Sequence, residues 1–202
     1  LYQIHRWDYE TPIEETLVAL DQLVKDNKVG HIGASSMYTW QFAKSLWISN
    51  ELDLQRFETM TNFYNLCYRE EEREMIPFCK DQNISVLPYS PVAKGFLTGK
   101  YTRNEKNDTI RFKTDPRLAE RFFKPEDFDV LEIVIQIANE KGVKPAQIAL
   151  AWLLEKNTAP IIGVTKKSHV EDAVESLNIK LTSNDMKQLE EPYKMHPITG
   201  YE

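Results

Sequence analysis

Hydrophobic positions along the chain alternate between two spacings. Ile13, Leu17, Leu20 and Val24 recur at helical intervals, and Phe42, Ala43, Leu46 and Trp47 do the same. Each set predicts an amphipathic helix with one apolar stripe turned to a sheet. Short β-prone runs lie around them at Leu1–Asp8, Val29–Ala34, Phe57–Asn62, Ile84–Tyr89 and Ala159–Val164. The first four start near residues 1, 30, 58 and 84, roughly the 30-residue step of a strand-helix-strand unit. The spacing therefore predicts an α/β fold of repeated parallel units, as in a (β/α) barrel, whose strand ends converge on one rim.

Local signals set the expected boundaries. Thr11, Pro12 and Glu14 have the N-cap, N1 and N3 pattern of a capping box opening the first helix. The charged run Arg69–Glu74 predicts the solvated first turns of a helix, and Pro77 predicts a kink or a late start. Glycines at 30 and 33 permit close backbone approach in the second strand. Helices are expected over Glu126–Lys141, Pro145–Lys156 and His169–Leu177, with Gly142 as a C′ residue and another helix after Thr182. The stretch from 84 to 160 holds a long inserted loop at 92–124, and no structure is assigned after Pro192. Residues 1–202 are read as one domain.

Composition narrows the function. With 42% hydrophobic and 28% charged residues the chain is ordinary for a globular protein, and its net charge of −6 supplies no broad basic face. Nucleic acid and anionic membranes are therefore excluded as partners. Cys67 and Cys79 fit neither a disulfide framework nor zinc spacing, which predicts reduced thiols in the cytoplasm. Histidines 5, 31, 169 and 196 show no metal spacing, and no apolar run approaches the ~20 residues of a membrane span. The chain opens on Leu1 inside a strand rather than on Met, so it is expected to be part of a longer protein.

Strand ends place His5, Ser35, Asn62, Tyr89 and Thr165 around one mouth. Each has a structural alternative, since strand-end histidines are often satisfied packing groups, serines cap helices and tyrosines fill barrel layers. Their convergence is what points to a ligand: Ser35 suits an amide and Tyr89 a planar ring. Gly163-Val164-Thr165-Lys166-Lys167-Ser168 sets hydroxyls and two cations where a strand gives way to a helix N-terminus, a natural phosphate site. The loop residues Lys94, Gly95, Gly99, Lys100, Arg103, Arg111 and Lys113 fit an anion-binding flap, and equally a solvated linker. No Walker-type loop or GxGxxG is present.

The strings QIHRWD, GASS, NFYNLCYRE, LPYSPVAKGFLTGKY and PIIGVTKKSHVEDAV follow in unbroken order from Leu1 to about Tyr193. In this the chain resembles the aldo-keto reductases, nearest their fungal aryl-alcohol dehydrogenase-like branch. The resemblance implies a metal-free (β/α)8 TIM barrel that holds NADP(H) across its rim. It also implies reduction of small-molecule aldehydes or ketones to alcohols by direct hydride transfer. His5 then matches the histidine that orients the substrate carbonyl, Ser35 a carboxamide contact and Tyr89 the ring stacked on the nicotinamide. Asn62 joins the cofactor set at the neighbouring strand end. Ser90, Pro91, Val92 and Lys94 fall on the pyrophosphate segment, and Lys100 and Arg111 on the flap over it. Thr165, Lys166 and His169 fall at the adenosine end, with Lys166 matched to the 2′-phosphate.

The sequence also departs from the family. Ser36 stands where an asparagine is frequent, Thr61 where a glutamine is, and Asp172 and Ala173 replace the acid-amide pair often seen at the adenine. The family's catalytic tyrosine, lysine and aspartate precede the matched histidine, so about five of eight units are expected here and the first three lie outside the chain. An incomplete barrel has open sheet edges, which invite self-association. Two alternatives remain at this stage: a non-catalytic nucleotide-binding or interaction protein, and a TIM-barrel enzyme binding a sugar phosphate.

Overall fold

The computed structural model describes residues 1–103, 110–115, 118 and 121–199, the side chains at 110 and 111 excepted. It separates into two compact units, the first built from Leu1–Phe63 and Glu70–Leu87 with residues 197–199, the second from Tyr64–Arg69 and Pro88–His196.

The first unit alternates strand and helix: β1 (Tyr2–Gln3), α1 (Ile13–Lys25), β2 (Ile32–Ser35), α2 (Thr39–Glu51), β3 (Thr59–Thr61), α3 (Met75–Asp81) and β4 (Ser85–Val86). All four strands are parallel and lie in the order β1-β2-β3-β4. Strict chain order is the course of a barrel wall, because a doubly wound sheet reverses direction at its switch point. Ile13, Leu17 and Leu20 of α1 pack with Ile32, Ala34, Met60, Phe42, Leu46 and Phe57 in one buried core. Asp21, also buried, accepts the Gln55 backbone N–H at 2.9 Å and pairs with Lys25 at 2.6 Å. Lys25 and then the Gln55 amide hold its carboxyl below the usual range.

Close approach at Gly33 ties three strands together. Gln3 reaches across β2 and donates to Thr59 Oγ1 at 3.0 Å and to Thr61 Oγ1 at 2.6 Å. It can do so because position 33 carries no side chain: an added Cβ would lie 2.1 Å from Thr59 Oγ1 and 3.0 Å from Gln3 Cγ. Gly30 has no such role, since a Cβ added there would meet nothing within 4 Å.

The structure corrects several expectations. Helix α1 starts one residue later than the capping-box reading, with Pro12 at the cap position and no side-chain cap bond. The Thr11 side chain bonds Asp8 instead, lowering the Asp8 carboxyl. Trp47 is 61% exposed, so the stripe of α2 runs through Phe42, Ser45, Leu46 and Ile48. The charged run is not a solvated helical turn. Glu70–Glu72 form a short 3-10 turn in which Glu70 and Glu71 are buried, and α3 begins at Met75 with Pro77 in its first turn. The fifth predicted strand is no strand: Ile161 donates to the Pro88 carbonyl at 2.8 Å in a single parallel bridge with Tyr89.

The second unit carries α4 (Ile110–Thr114), α5 (Pro125–Lys141), α6 (Pro145–Glu155), α7 (Lys167–Ser176) and α8 (Ser183–Glu190). Helix α5 packs against α6 and α8, and α6 packs against α7. Gly142 closes α5 in the left-handed conformation with φ 66°, and Thr182 caps α8 by accepting from Asp185 N–H at 3.1 Å. The predicted loop at 92–124 is more structured than expected. Residues Ala93–Thr98 form 3-10 turns, and Phe96 packs on Tyr101, Phe122, Phe123 and Phe128, so its described ends are anchored in the core. No helix among the described residues is long and apolar enough to cross a membrane.

Both cysteines are buried. Desolvation, with Glu71 nearby, pushes the Cys79 thiol up to about 12, and burial with Asp127 nearby raises Cys67 well above the ordinary range. Because only the thiolate attacks disulfide reagents, neither cysteine is expected to react with a water-soluble aromatic disulfide in the native protein, and both should react after denaturation. Fast native labelling would contradict this packing.

Candidate functional site

In the first unit the carboxyl ends of β1, β2 and β3 present the predicted residues in different states. Ile4 N–H donates to the Gly33 carbonyl at 3.0 Å, which is the last ladder bond of β1, and His5 follows it exposed to solvent. Ser35 ends β2, buried, and donates its hydroxyl to the Thr61 carbonyl at 2.9 Å, with Ser36 Oγ at 3.1 Å. Asn62, just past β3, is fully buried; its amide donates to Glu71 Oε2 at 2.8 Å while its Oδ1 has no hydrogen-bond partner among the described residues. That bond gives the buried Glu71 carboxylate a donor. It commits the Asn62 NH2 to a core carboxylate and leaves Oδ1 as the group at the end of β3 open to a further donor.

In the second unit, Pro91, Val92, Lys100, Thr165 and His169 converge on one cavity of about 180 Å³. Five residues singled out from sequence thus come together from the segment after Pro88, the stretch just past the 3-10 turns, and the approach to and first turn of α7. The Ser90–Gly95 segment has an unusual backbone, with left-handed φ at Ser90, Ala93 and Lys94 as well as Gly95. Such strain in non-glycine residues concentrates at functional sites. The Ser90 carbonyl is held by Asn65 Nδ2 at 3.2 Å. Thr165 N–H donates to His169 Nδ1 at 3.4 Å, fixing the imidazole at the α7 entrance.

The cationic residues divide into two groups. Lys94 is turned to Asp115, donating at 2.7 Å, and does not line the cavity. Lys100 lines it, and Lys166 occupies the N-cap position of α7 beside Thr165. Both are exposed, and neither forms an ion pair among the described residues. Tyr89 and Ser90 lie just before the cavity-lining Pro91 without lining it themselves. Helix α4 includes Arg111, whose side chain lies outside the described residues. Sequence reasoning missed Thr98, Leu150 and Ile162 in the lining; Leu150 has the apolar helical spacing of a core residue, and nothing in that spacing separates a cavity wall from a core.

The aldo/keto reductase family model matches residues 1–194. The chain belongs to the aldo/keto reductase family. It is 40% identical over 198 residues to a Schizosaccharomyces pombe protein named "Putative aryl-alcohol dehydrogenase C750.01", the match covering 98% of this chain and 60% of that protein. It is also 40% identical over 202 residues to versiconal hemiacetal acetate reductase of Aspergillus parasiticus, covering 96% and 58%. A solved thermostable aldo-keto reductase, in complex with the inhibitor epalrestat, superposes with TM-score 0.73 at 23% identity over 95% of this chain and 58% of its own. That likeness shows the fold, in which the four parallel strands form part of a TIM barrel. The chain spans about 60% of the length of the curated relatives it matches.

Proposed function

We propose that this aldo/keto reductase chain belongs to a cytoplasmic NADP(H)-dependent oxidoreductase that interconverts small aldehydes or ketones with their alcohols, aryl alcohols included. The observation that carries the reading is the cavity of the second unit, whose wall includes Lys100, Thr165 and His169 and whose edge carries Lys166. Two cations without ion-pair partners among the described residues, beside left-handed backbone and a helix N-terminus, fit an anionic nucleotide. Thr165, Lys166 and His169 would hold the adenosine end, with Lys166 on the 2′-phosphate. The backbone segment of Ser90, Pro91, Val92 and Lys94 would lie along the pyrophosphate, and Lys100 and Arg111 would cover it from the 92–124 flap. Ser35, Asn62 and Tyr89 would bound the nicotinamide, and His5 would orient the substrate carbonyl. The cofactor supplies the hydride; these residues bind and orient. The family match runs without interruption through both units, which supports reading 1–202 as one domain.

The outer edge of β1, at the end of the described sheet and with Leu1 and Tyr2 exposed, is the surface we assign to pairing with a second copy. Every role assigned above is one of binding or orienting, so binding is the direct test. NADPH fluorescence titration of the chain should give saturable binding, and Lys166→Ala should weaken it by about tenfold or more, the worth of a charged phosphate contact. NADH binding should change far less. A chain that binds no NADPH, or that binds it equally well without Lys166, would sink the proposal.

A further inference from the structure

We infer that Lys144 is a positioning residue that sets the charge of the cavity by neutralising Asp172 in its wall, so that a phosphorylated ligand end is accepted there. The inference rests on the nucleotide reading above and concerns residues that reading does not use. Asp172 lines the cavity and its side chain is 19% exposed. Lys144 lies outside the lining and places Nζ 2.5 Å from Asp172 Oδ1. That hydrogen bond is the chief cause that raises the Lys144 ammonium above its ordinary value.

The pair is built in from both sides. Lys144 occupies the N-cap position of α6, where its backbone N–H donates to Gln147 Oε1 at 2.9 Å. Gln147, 3% exposed, then donates to the Asp172 carbonyl at 3.2 Å and to Glu175 Oε2 at 2.9 Å. One buried amide thus fixes the root of the lysine and the turn of α7 that carries the aspartate. On the same helix Glu171 is matched by Lys167 at 3.2 Å. With Glu171 and Asp172 each paired to a lysine, and Glu175 held by the neutral Gln147 amide outside the cavity lining, Lys100 and Lys166 are left to attract an anion. Without Lys144, the Asp172 carboxylate would oppose Lys100 in the same cavity wall, where charges are screened less than in bulk water.

The test measures NADPH and NADH affinities of the 202-residue chain at low and high salt for wild type, Lys144→Met, Asp172→Asn and the double variant. Lys144→Met should raise the NADPH dissociation constant roughly fivefold at low ionic strength, with a smaller effect on NADH. The loss should shrink with salt and be largely restored by adding Asp172→Asn. A purely structural role predicts the reverse: equal loss for both dinucleotides, independent of salt, without rescue. That pattern, or wild-type NADPH affinity in Lys144→Met, overturns the inference alone. A wild-type chain that binds neither dinucleotide overturns the nucleotide reading and this inference together.

Discussion

Gly33→Ala is expected to destabilise the first unit by about 3 kcal/mol, the upper part of the range for overpacking a tight interior. The new methyl would sit 2.1 Å from Thr59 Oγ1, far inside contact distance, and the atoms it meets are committed elsewhere. Thr59 Oγ1 accepts from Gln3, whose amide also bonds Thr61, so relief by rotating either side chain breaks the bonds that join β1 to β3. Moving β2 outward is no easier, because its register is fixed on one side to Tyr2–Gln3 and on the other to Thr59–Thr61. Gly30→Ala is the internal control. Nothing lies within 4 Å of its Cβ, and its expected change is within about 0.5 kcal/mol. Urea unfolding of both variants decides the matter, and equal midpoints would refute the close-approach account.

Glu190→Ala should cost the second unit about 2–3 kcal/mol, because one carboxylate satisfies several groups that have left water. Glu190 accepts the indole N–H of fully buried Trp152 at 2.9 Å, pairs with Lys156 at 2.7 Å and with Arg69 at 3.2 Å. Arg69 also donates to the Glu190 carbonyl at 3.2 Å, and its guanidinium lies 5.7 Å from the centre of Trp152 and 5.2 Å from that of Tyr193. Losing the carboxylate strips the Trp152 N–H of its acceptor. Burial raises the Glu190 carboxyl, but Lys156, Trp152 and Arg69 outweigh it, so the folded value lies below the ordinary 4.5. A depressed value means that the stabilisation is complete above the unfolded value and disappears as pH falls through the folded one. Wild type and Glu190→Gln should therefore differ most near neutrality and converge in acid below pH 4.5. A gap that widens on acidification would contradict this assignment.

The periodic parts of the fold were legible because each reports its own burial. The α1 stripe of Ile13, Leu17 and Leu20, the Gly142 stop and the Pro145 start all appear where spacing and backbone chemistry put them. Pro91, Val92, Lys100, Thr165 and His169, most of them singled out only through the family resemblance, line one cavity. Trp47 was misread because a large apolar side chain fits either face of α2 by spacing, and only the neighbours of Phe42 and Leu46 select the buried one. The acidic run was misread for a related reason. Glutamates are solvated by default, and nothing local announces that Asn62, nine residues earlier, will supply a buried donor to Glu71.

Taken alone, the sequence determined the alternation of strands and helices, their order, and the family to which the chain belongs, because periodicity, turn chemistry and motif order are written in neighbouring residues. Tertiary structure alone decided which polar groups face each other. Gln3 bonds Thr61 over the bare backbone of Gly33, Lys144 neutralises Asp172, and Glu190 gathers Trp152, Lys156 and Arg69. Such pairings join residues far apart in the chain, and their energies depend on distance and on exclusion of water, which no local pattern encodes.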